Sequence, residues 1–198
     1  FELPTMTTEV TVGGLGSLVA RGDVELAATA VVDLTALVGQ DLGAVAAGAA
    51  VQAEVGTVML TTVTVDDGAT VTGQTVTIRA AAEDVRGHAI SDSSVKGLDA
   101  DIYSWVQVWY VVTSTAWIDW NATVTGDDHI TVAAEVGDLD TVTTQTIDCG
   151  ALAPSGTIRS WDYVDLNTTV HLTGGAELRT GLLDMFANPV AETVRDMH

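Results

Sequence analysis

The side chains that could carry chemistry are few in this 198-residue chain and lie far apart along it. The four histidines, His88, His129, His171 and His198, form no HExxH motif and no pair at the spacing of a zinc site. Cys149, the only cysteine, lies in TIDCGAL, which has no signature of a nucleophile, so we predict a structural, buried thiol. The GxSxG, phosphate-loop and dinucleotide-binding patterns are missing too. The sequence therefore predicts no catalytic residue, no cofactor, no metal site and no enzyme.

Pairs of aspartates in predicted turns could bind calcium through their oxygens. They are Asp66–Asp67, Asp127–Asp128, and Asp138 with Asp140. None of them matches the DxDxDG loop of calcium-binding proteins, and solvated turn residues are the commoner outcome. We therefore retain calcium binding only as a hypothesis for an interface between subunits.

Aromatic rings are concentrated in DIYSWVQVWYVVTSTAWIDW (101–120), which contains four of the five tryptophans. Such rings either stack on a ligand such as a sugar or a base, or are buried in a core or an interface. If 102–113 is a strand, both of its faces are largely apolar, whereas a stacking platform needs rings beside polar groups on a solvent-facing side. We predict that these rings lie in the core or in a subunit contact: Trp105, Trp109, Trp117 and Trp120. Trp117 is the ring most suited to a surface.

Two triplets fit the N-glycosylation sequon, Asn121-Ala122-Thr123 and Asn167-Thr168-Thr169. Two such triplets are expected by accident in a chain so rich in threonine. Asn121 and Asn167 are therefore candidate glycosylation sites only if the protein reaches the cell exterior.

Charge is the most informative global property. The chain has 27 acidic and seven basic residues, a net charge of −20, although its mean hydropathy is positive. Repulsion among these charges opposes folding in dilute salt, but at 1 M salt the screening length is only about 3 Å. The composition therefore favours a protein made for brine, and it excludes nucleic-acid binding through a basic patch.

No stretch is long enough to span a bilayer as a helix. The most apolar one, LGAVAAGAAV (42–51), is far shorter than the roughly 20 residues required. The opening FELPTMTTEV has no basic or apolar leader region, so we expect either no secretory signal or one already removed.

Apolar and polar residues alternate through most of the chain, which is the period of a half-buried strand. Short segments of turn residues, such as GGLG (13–16), DDG (66–68), GDD (126–128), GDLD (137–140) and APSG (153–156), separate the alternating stretches. This spacing, without helical crossovers, predicts antiparallel sheets: one β-sandwich of jelly-roll type over 1–175. The nine predicted strands are 8–12, 23–32, 57–65, 69–80, 102–113, 116–125, 129–136, 140–147 and 162–172.

Two segments depart from this alternation. Residues 34–56 combine alanines with glycines, and helix and irregular strand stay equally open. Residues 176–198 predict a short amphipathic helical tail, with Asn188 as an N-cap before Pro189, and we assign this tail to a subunit contact. Its apolar side consists of Leu178, Leu182, Leu183 and Phe186.

One short sequence occurs twice: ATVTG is found at 69–73 and again at 122–126. A duplicated hairpin would produce this pattern. In a chain dominated by threonine, valine and alanine, chance similarity is the favoured explanation.

In size, acidity and strand pattern the chain resembles structural proteins of haloarchaeal viruses, in particular the single jelly-roll capsid proteins of tailless icosahedral ones. That resemblance implies a structural subunit of a virus capsid, located in the virion. Its partners would be copies of itself, other capsid proteins and, peripherally, an internal membrane. Alternatives are a tail-tube or decoration protein of a tailed haloarchaeal virus, an extracellular or cell-surface β-sandwich module that binds glycan or peptide, and an enzyme whose site is assembled from acidic residues.

Overall fold

A computed structural model describes residues 3–43, 45–189 and 193–194. All regular structure in these ranges is β-strand, which confirms the β-rich prediction. Within the same ranges, no helix is long and apolar enough to cross a membrane. The strands are β1 (Thr5–Val12), β2 (Ser17–Val19), β3 (Val24–Gly43), β4 (Ala46–Val65), β5 (Thr70–Ile118), β6 (Thr123–Leu172), β7 (Glu177–Pro189) and β8 (Thr193–Val194).

The pairing register shows that the chain winds as a solenoid. Every pairing is parallel, and each residue pairs with one almost the same distance further along the sequence. Thr5 pairs with Val58, an offset of 53 positions, and Thr123 pairs with Glu177, an offset of 54 positions. One turn of the solenoid, here called a coil, therefore takes 13–65, the next 66–118, the third 119–172, and a fourth begins at residue 173.

Each coil begins with the same tight corner. At equivalent positions of successive coils the backbone is left-handed, at Leu15, Gly68, Asn121 and Gly175, with φ of 60°, 72°, 54° and 83°. The same turn hydrogen bond closes every corner, from Gly16 N to Gly13 O, Ala69 N to Asp66 O, Ala122 N to Asp119 O, and Ala176 N to Thr173 O. Glycine and asparagine tolerate this conformation best, so three of the four corners carry a suitable residue.

Within a coil, the chain runs out along one leg and returns along another, and the two legs face each other across the core. In the second coil the outgoing leg is 70–96 and the return leg is 99–118, so β5 follows both legs. The hydroxyls of Ser91 and Ser104 are 3.1 Å apart across the core, and the Tyr110 hydroxyl donates to Arg86 O at 2.7 Å. Small apolar side chains, mostly valine and alanine, fill the space between the legs. The space between the legs is therefore thin and filled mainly by small side chains.

The predicted antiparallel sandwich or jelly roll is wrong. Every pairing among the described strands is parallel, and the sheet order β1-β4-β5-β6-β7 follows the coils. Alternation reports that one face of a strand is buried, but it does not report the direction of the neighbouring strand. Parallel neighbours normally need a long crossover connection. Here that crossover is the remainder of the coil, which is itself strand.

The prediction of a C-terminal helix is also wrong for the residues of the tail that the structure describes. Residues Glu177–Pro189 form β7, which pairs in parallel with the outgoing leg of the third coil. Residues 190–192 and 195–198, the rest of the predicted tail, lie outside the described residues. The open question over 34–56 is resolved as strand on both sides of residues 44–45, in β3 and β4.

Two other interpretations of the sequence change with the fold. The repeated ATVTG is not a chance similarity, because Thr70–Gly73 pairs residue by residue with Thr123–Gly126 in the next coil. GGLG and DDG do form corners, but GDD, GDLD and APSG lie inside β6. Of these three, GDD coincides with a register shift between Gly126 and His129.

Candidate binding face

The tryptophans lie on the outside of the solenoid and not in its core. Their exposed fractions are 39% for Trp105, 36% for Trp109, 37% for Trp117, 58% for Trp120 and 49% for Trp161. Core burial was therefore the wrong expectation for these rings, while subunit contact stays a prediction.

Strand alternation explains this placement. Trp105 and Trp109 share one side of the return leg, whereas Val106, Val108 and Tyr110 point into the core and are fully buried. Both sides of this strand are apolar, as the sequence indicated, but only one of them is covered.

Five exposed rings form what we call the aromatic face: Tyr103, Trp105, Trp109, Trp161 and Tyr163. They come from the return legs of the second and third coils, which are adjacent in the sheet. The centroids of Trp105 and Trp161 are 5.4 Å apart, and those of Trp109 and Tyr163 are 5.2 Å apart, both edge to face. These contacts between neighbouring coils fix the ring orientations before any ligand binds.

Two open grooves lie between these rings. The first, of about 390 Å³, is lined by residues of three successive coils, including Gln52, Trp105 and Arg159, which are register partners across the sheet. The second, of about 430 Å³, is lined by Gln107, Asp162 and three rings of the aromatic face. Both volumes are within the range of small-molecule sites, which is roughly 300–1,000 Å³.

Gln107 is the polar group at the centre of the aromatic face. It lies between Trp105 and Trp109 on the same side of the strand, and its ladder partner is Trp161. Only 8% of Gln107 is exposed, and its amide makes no hydrogen bond within the described part of the chain. A side-chain amide offers two donors and an acceptor. The second groove is the place where a ligand could satisfy that amide.

The charges around the aromatic face are unevenly placed. Arg159 lines the first groove, and no ion pair to it is found among the described residues. Asp162 belongs to the lining of the second groove, but its carboxylate accepts from Thr141 at 3.1 Å between the two legs, and its Oδ1 is buried. Of the two grooves, the first therefore presents a charged side chain to a ligand.

The remaining predicted contact residues are scattered. Trp117 packs on His171 with ring centroids 4.1 Å apart, and Trp120 lies at the third corner, away from the aromatic face. Leu178 packs partly against the core. The other three apolar residues of the predicted tail are exposed on β7: Leu182, Leu183 and Phe186.

The histidines and the thiol do not assemble into a site in the described residues. His129 lies 3.0 Å from the Asp184 carboxylate and His88 lies 3.9 Å from that of Asp140. Cys149 is half-buried beside the smallest of the core clusters. No group of three metal-ligating side chains occurs within the described ranges, the acidic turns included. His198 lies outside them.

The two sequon asparagines differ in their surroundings. Asn121 occupies a left-handed corner and donates to the Asp67 carboxylate at 3.2 Å, whereas Asn167 lies on an exposed part of the third return leg. Their glycosylation stays a prediction.

Sequence analysis missed five residues of this surface: Tyr103, Gln107, Arg159, Trp161 and Tyr163. A signal was present, because the offset between the two ATVTG copies is the offset of the coils. The same offset, lengthened by one residue, aligns Trp109 with Tyr163.

No family model, curated protein or solved structure matches this chain. A proposal of its function therefore rests on the fold and the aromatic face.

Proposed function

We propose that this chain is a carbohydrate-binding solenoid that acts by binding and not by catalysis. The observation that supports this best is the row of exposed, pre-oriented rings around the unpartnered Gln107 amide. Among the alternatives drawn from the sequence, this one corresponds to an extracellular or cell-surface glycan-binding module.

The chemistry of the aromatic face suits a sugar chain. Each sugar ring has an apolar face of C–H groups that can pack on an indole, and hydroxyls at its edge that exchange hydrogen bonds with an amide. The rings are held on a sheet and not on loops, so little ordering is needed on binding.

A peptide ligand is less well supported. Peptides commonly add to a free strand edge through main-chain hydrogen bonds. The return leg of β5, which carries Trp105 and Trp109, is paired on one side with β4 and on the other with β6. At Trp105 and Trp109 a ligand therefore meets side chains only, although Trp161 and Tyr163 lie on a strand whose outer edge is unpaired among the described residues.

Removing the rings should weaken binding. We expect Trp105→Ala with Trp161→Ala to weaken polysaccharide binding by about tenfold for each ring, because each indole buries apolar area on a sugar. Affinity electrophoresis through gels containing different polysaccharides, in concentrated KCl, would measure this.

Trp120→Ala is the matched control, because Trp120 is an exposed indole at a corner outside the aromatic face. It should leave binding unchanged. Equal losses for the control and the double variant, or retardation of the wild type by no polysaccharide, would contradict the proposal.

A structural subunit is the second candidate, and one observation favours it. The outer edge of the third return leg, 153–172, has no partner strand among the described residues, and the nearby Leu152 and Ile158 are 83% and 61% exposed. An unpaired parallel edge can accept a strand from another copy. With the net charge of −20, this supports a subunit of a haloarchaeal virus capsid. Light scattering in concentrated KCl that finds only monomers would contradict it.

A further inference from the structure

Arg159 has an unusual position for a cation in this chain. The described arginines Arg79, Arg86 and Arg179 each pair with a carboxylate, at 2.6, 2.9 and 2.7 Å. Arg159 instead lines the first groove beside exposed rings, without such a partner in the described ranges. Arg21 likewise has no ion pair in the described ranges, but it lies outside the aromatic face, whereas Arg159 stands beside exposed rings.

No carboxylate is found among the described ladder neighbours of Arg159. Its ladder partner is Trp105, and its neighbours on the same side of its own strand are Thr157 and Trp161. The diagonal neighbours across the ladder, Tyr103 and Gln107, are neutral as well. Glu54, the nearest acid on the first return leg, accepts instead from the Gln52 amide at 3.3 Å. The first groove is thus a small positive site on a strongly negative molecule.

From this placement we infer that the ligand of the aromatic face is an acidic polysaccharide containing uronate units, with Arg159 as the carboxylate-binding residue. The inference rests on the proposed function and specifies its ligand. A uronate carries its carboxylate on the sugar ring itself. One unit can therefore contact Trp105 through its ring and Arg159 through its carboxylate.

The guanidinium fits this partner in geometry as well as in charge. Arginine presents a planar pair of donors that matches the two oxygens of a carboxylate. The second groove offers the neutral Gln107 amide beside its rings, because the Asp162 carboxylate points toward Thr141 between the legs. Recognition of the acid is therefore local to the first groove.

Salt should assist this binding. The net charge of −20 repels a polyanion at low ionic strength, whereas at about 1 M salt the interaction of exposed charges more than roughly 3 Å apart is largely screened. The contact between Arg159 and a carboxylate would be short, whereas most of the repelling charges are distant. Salt therefore weakens the repulsion more than the contact, and binding of the acidic chain should strengthen as salt rises to this level.

The test compares alginate oligosaccharides with the same oligosaccharides after chemical reduction of their carboxyl groups. Titration calorimetry in about 1 M KCl would measure both affinities for the wild type, R159Q and R159K. We expect the wild type to prefer the acidic form by about tenfold or more, since charge-assisted hydrogen bonds are the strong ones. R159Q should lose that preference while still binding the reduced form, and R159K should retain part of it.

R21Q is the matched control, because Arg21 is exposed, lies outside the aromatic face and has no ion pair in the described ranges. If R21Q lowers the preference as much as R159Q does, the local contact is disproved. Equal wild-type binding of both forms, lost in Trp105→Ala, would overturn the inference and leave carbohydrate binding intact. If the wild type binds neither form nor any other polysaccharide, the proposed function itself fails.

Discussion

Replacing Tyr110 by alanine should lower the free energy of unfolding by about 3–5 kcal/mol, as removal of a buried aromatic ring does elsewhere. Tyr110 is fully buried between the two legs of the second coil. Its ring occupies the space that a side chain at Gly87 would need, since a Cβ there would lie 2.5 Å from the ring. Its hydroxyl also satisfies Arg86 O at 2.7 Å. Urea unfolding followed by circular dichroism would measure the loss.

Tyr103→Ala is the control for this substitution, because Tyr103 belongs to the same strand but is 54% exposed on the aromatic face. It should change the free energy of unfolding by less than about 1 kcal/mol. Similar losses for the two variants would mean that Tyr110 does not pack between the legs.

Burial also makes Tyr110 sensitive to alkali. Burial raises the pKa of Tyr110, and the negative charge of Asp33 raises it further. In the unfolded chain the phenol ionises near pH 10, whereas the folded state keeps its proton. The stabilisation is therefore complete below about pH 10 and is lost as the pH rises above it. Tyr110→Phe should cost about 1 kcal/mol at neutral pH, through the lost hydrogen bond, and this deficit should narrow above pH 10.

Inserting a second copy of residues 66–118 directly after Ile118 should give a folded protein with one additional coil. Ile118 pairs in parallel with Val65, so each coil ends at an equivalent point with the chain running in the same direction. A further coil can therefore be joined there without changing the path of the chain. In stacked-coil proteins, stability is approximately a sum over repeats and their interfaces. The 53 added residues should raise the denaturant m-value by about a quarter, in proportion to the surface buried.

The control for the coil insertion is an insertion of 66–92 alone at the same position. It would place the outgoing leg of the third coil where the inserted outgoing leg needs a return leg, so we expect no cooperative unfolding transition. If the half-coil insertion folds as well as the full coil, the register does not have the period described above.

The strands were predictable from the sequence, but their direction was not. ATVTGQTVTIRA alternates on both sides of an irregularity at Gly73–Thr75, and from Thr70 it is a strand with Val76 and Ile78 in the core. Strand direction depends on partners about 53 residues away, which no local pattern encodes. The repeated ATVTG carried this information, but the composition made a chance origin the simpler explanation.

The shared side of Trp105 and Trp109 was likewise predictable, whereas its exposure was not. Valines on the opposite side fill a thin gap between two legs, and indoles would be too large for most of that gap. Large aromatic residues usually indicate a core. In this fold the core selects for small side chains.

The predicted tail helix failed because of an ambiguity in spacing. Leu178, Leu182 and Phe186 are four residues apart, which suits one side of a helix but also one side of a strand. Its parallel partner in the third coil provides the ladder that makes it a strand.

The uniform offset between paired residues has a consequence for how the chain reaches its fold. Every ladder joins residues 52–54 positions apart, about a quarter of the chain, which exceeds the relative contact order of about 0.16–0.22 that slow all-β domains show. The first ladder must therefore close a loop of one entire turn before any strand has a partner. Once two turns have met, each later segment finds a template already in place, so initiation is the slow step and growth is fast.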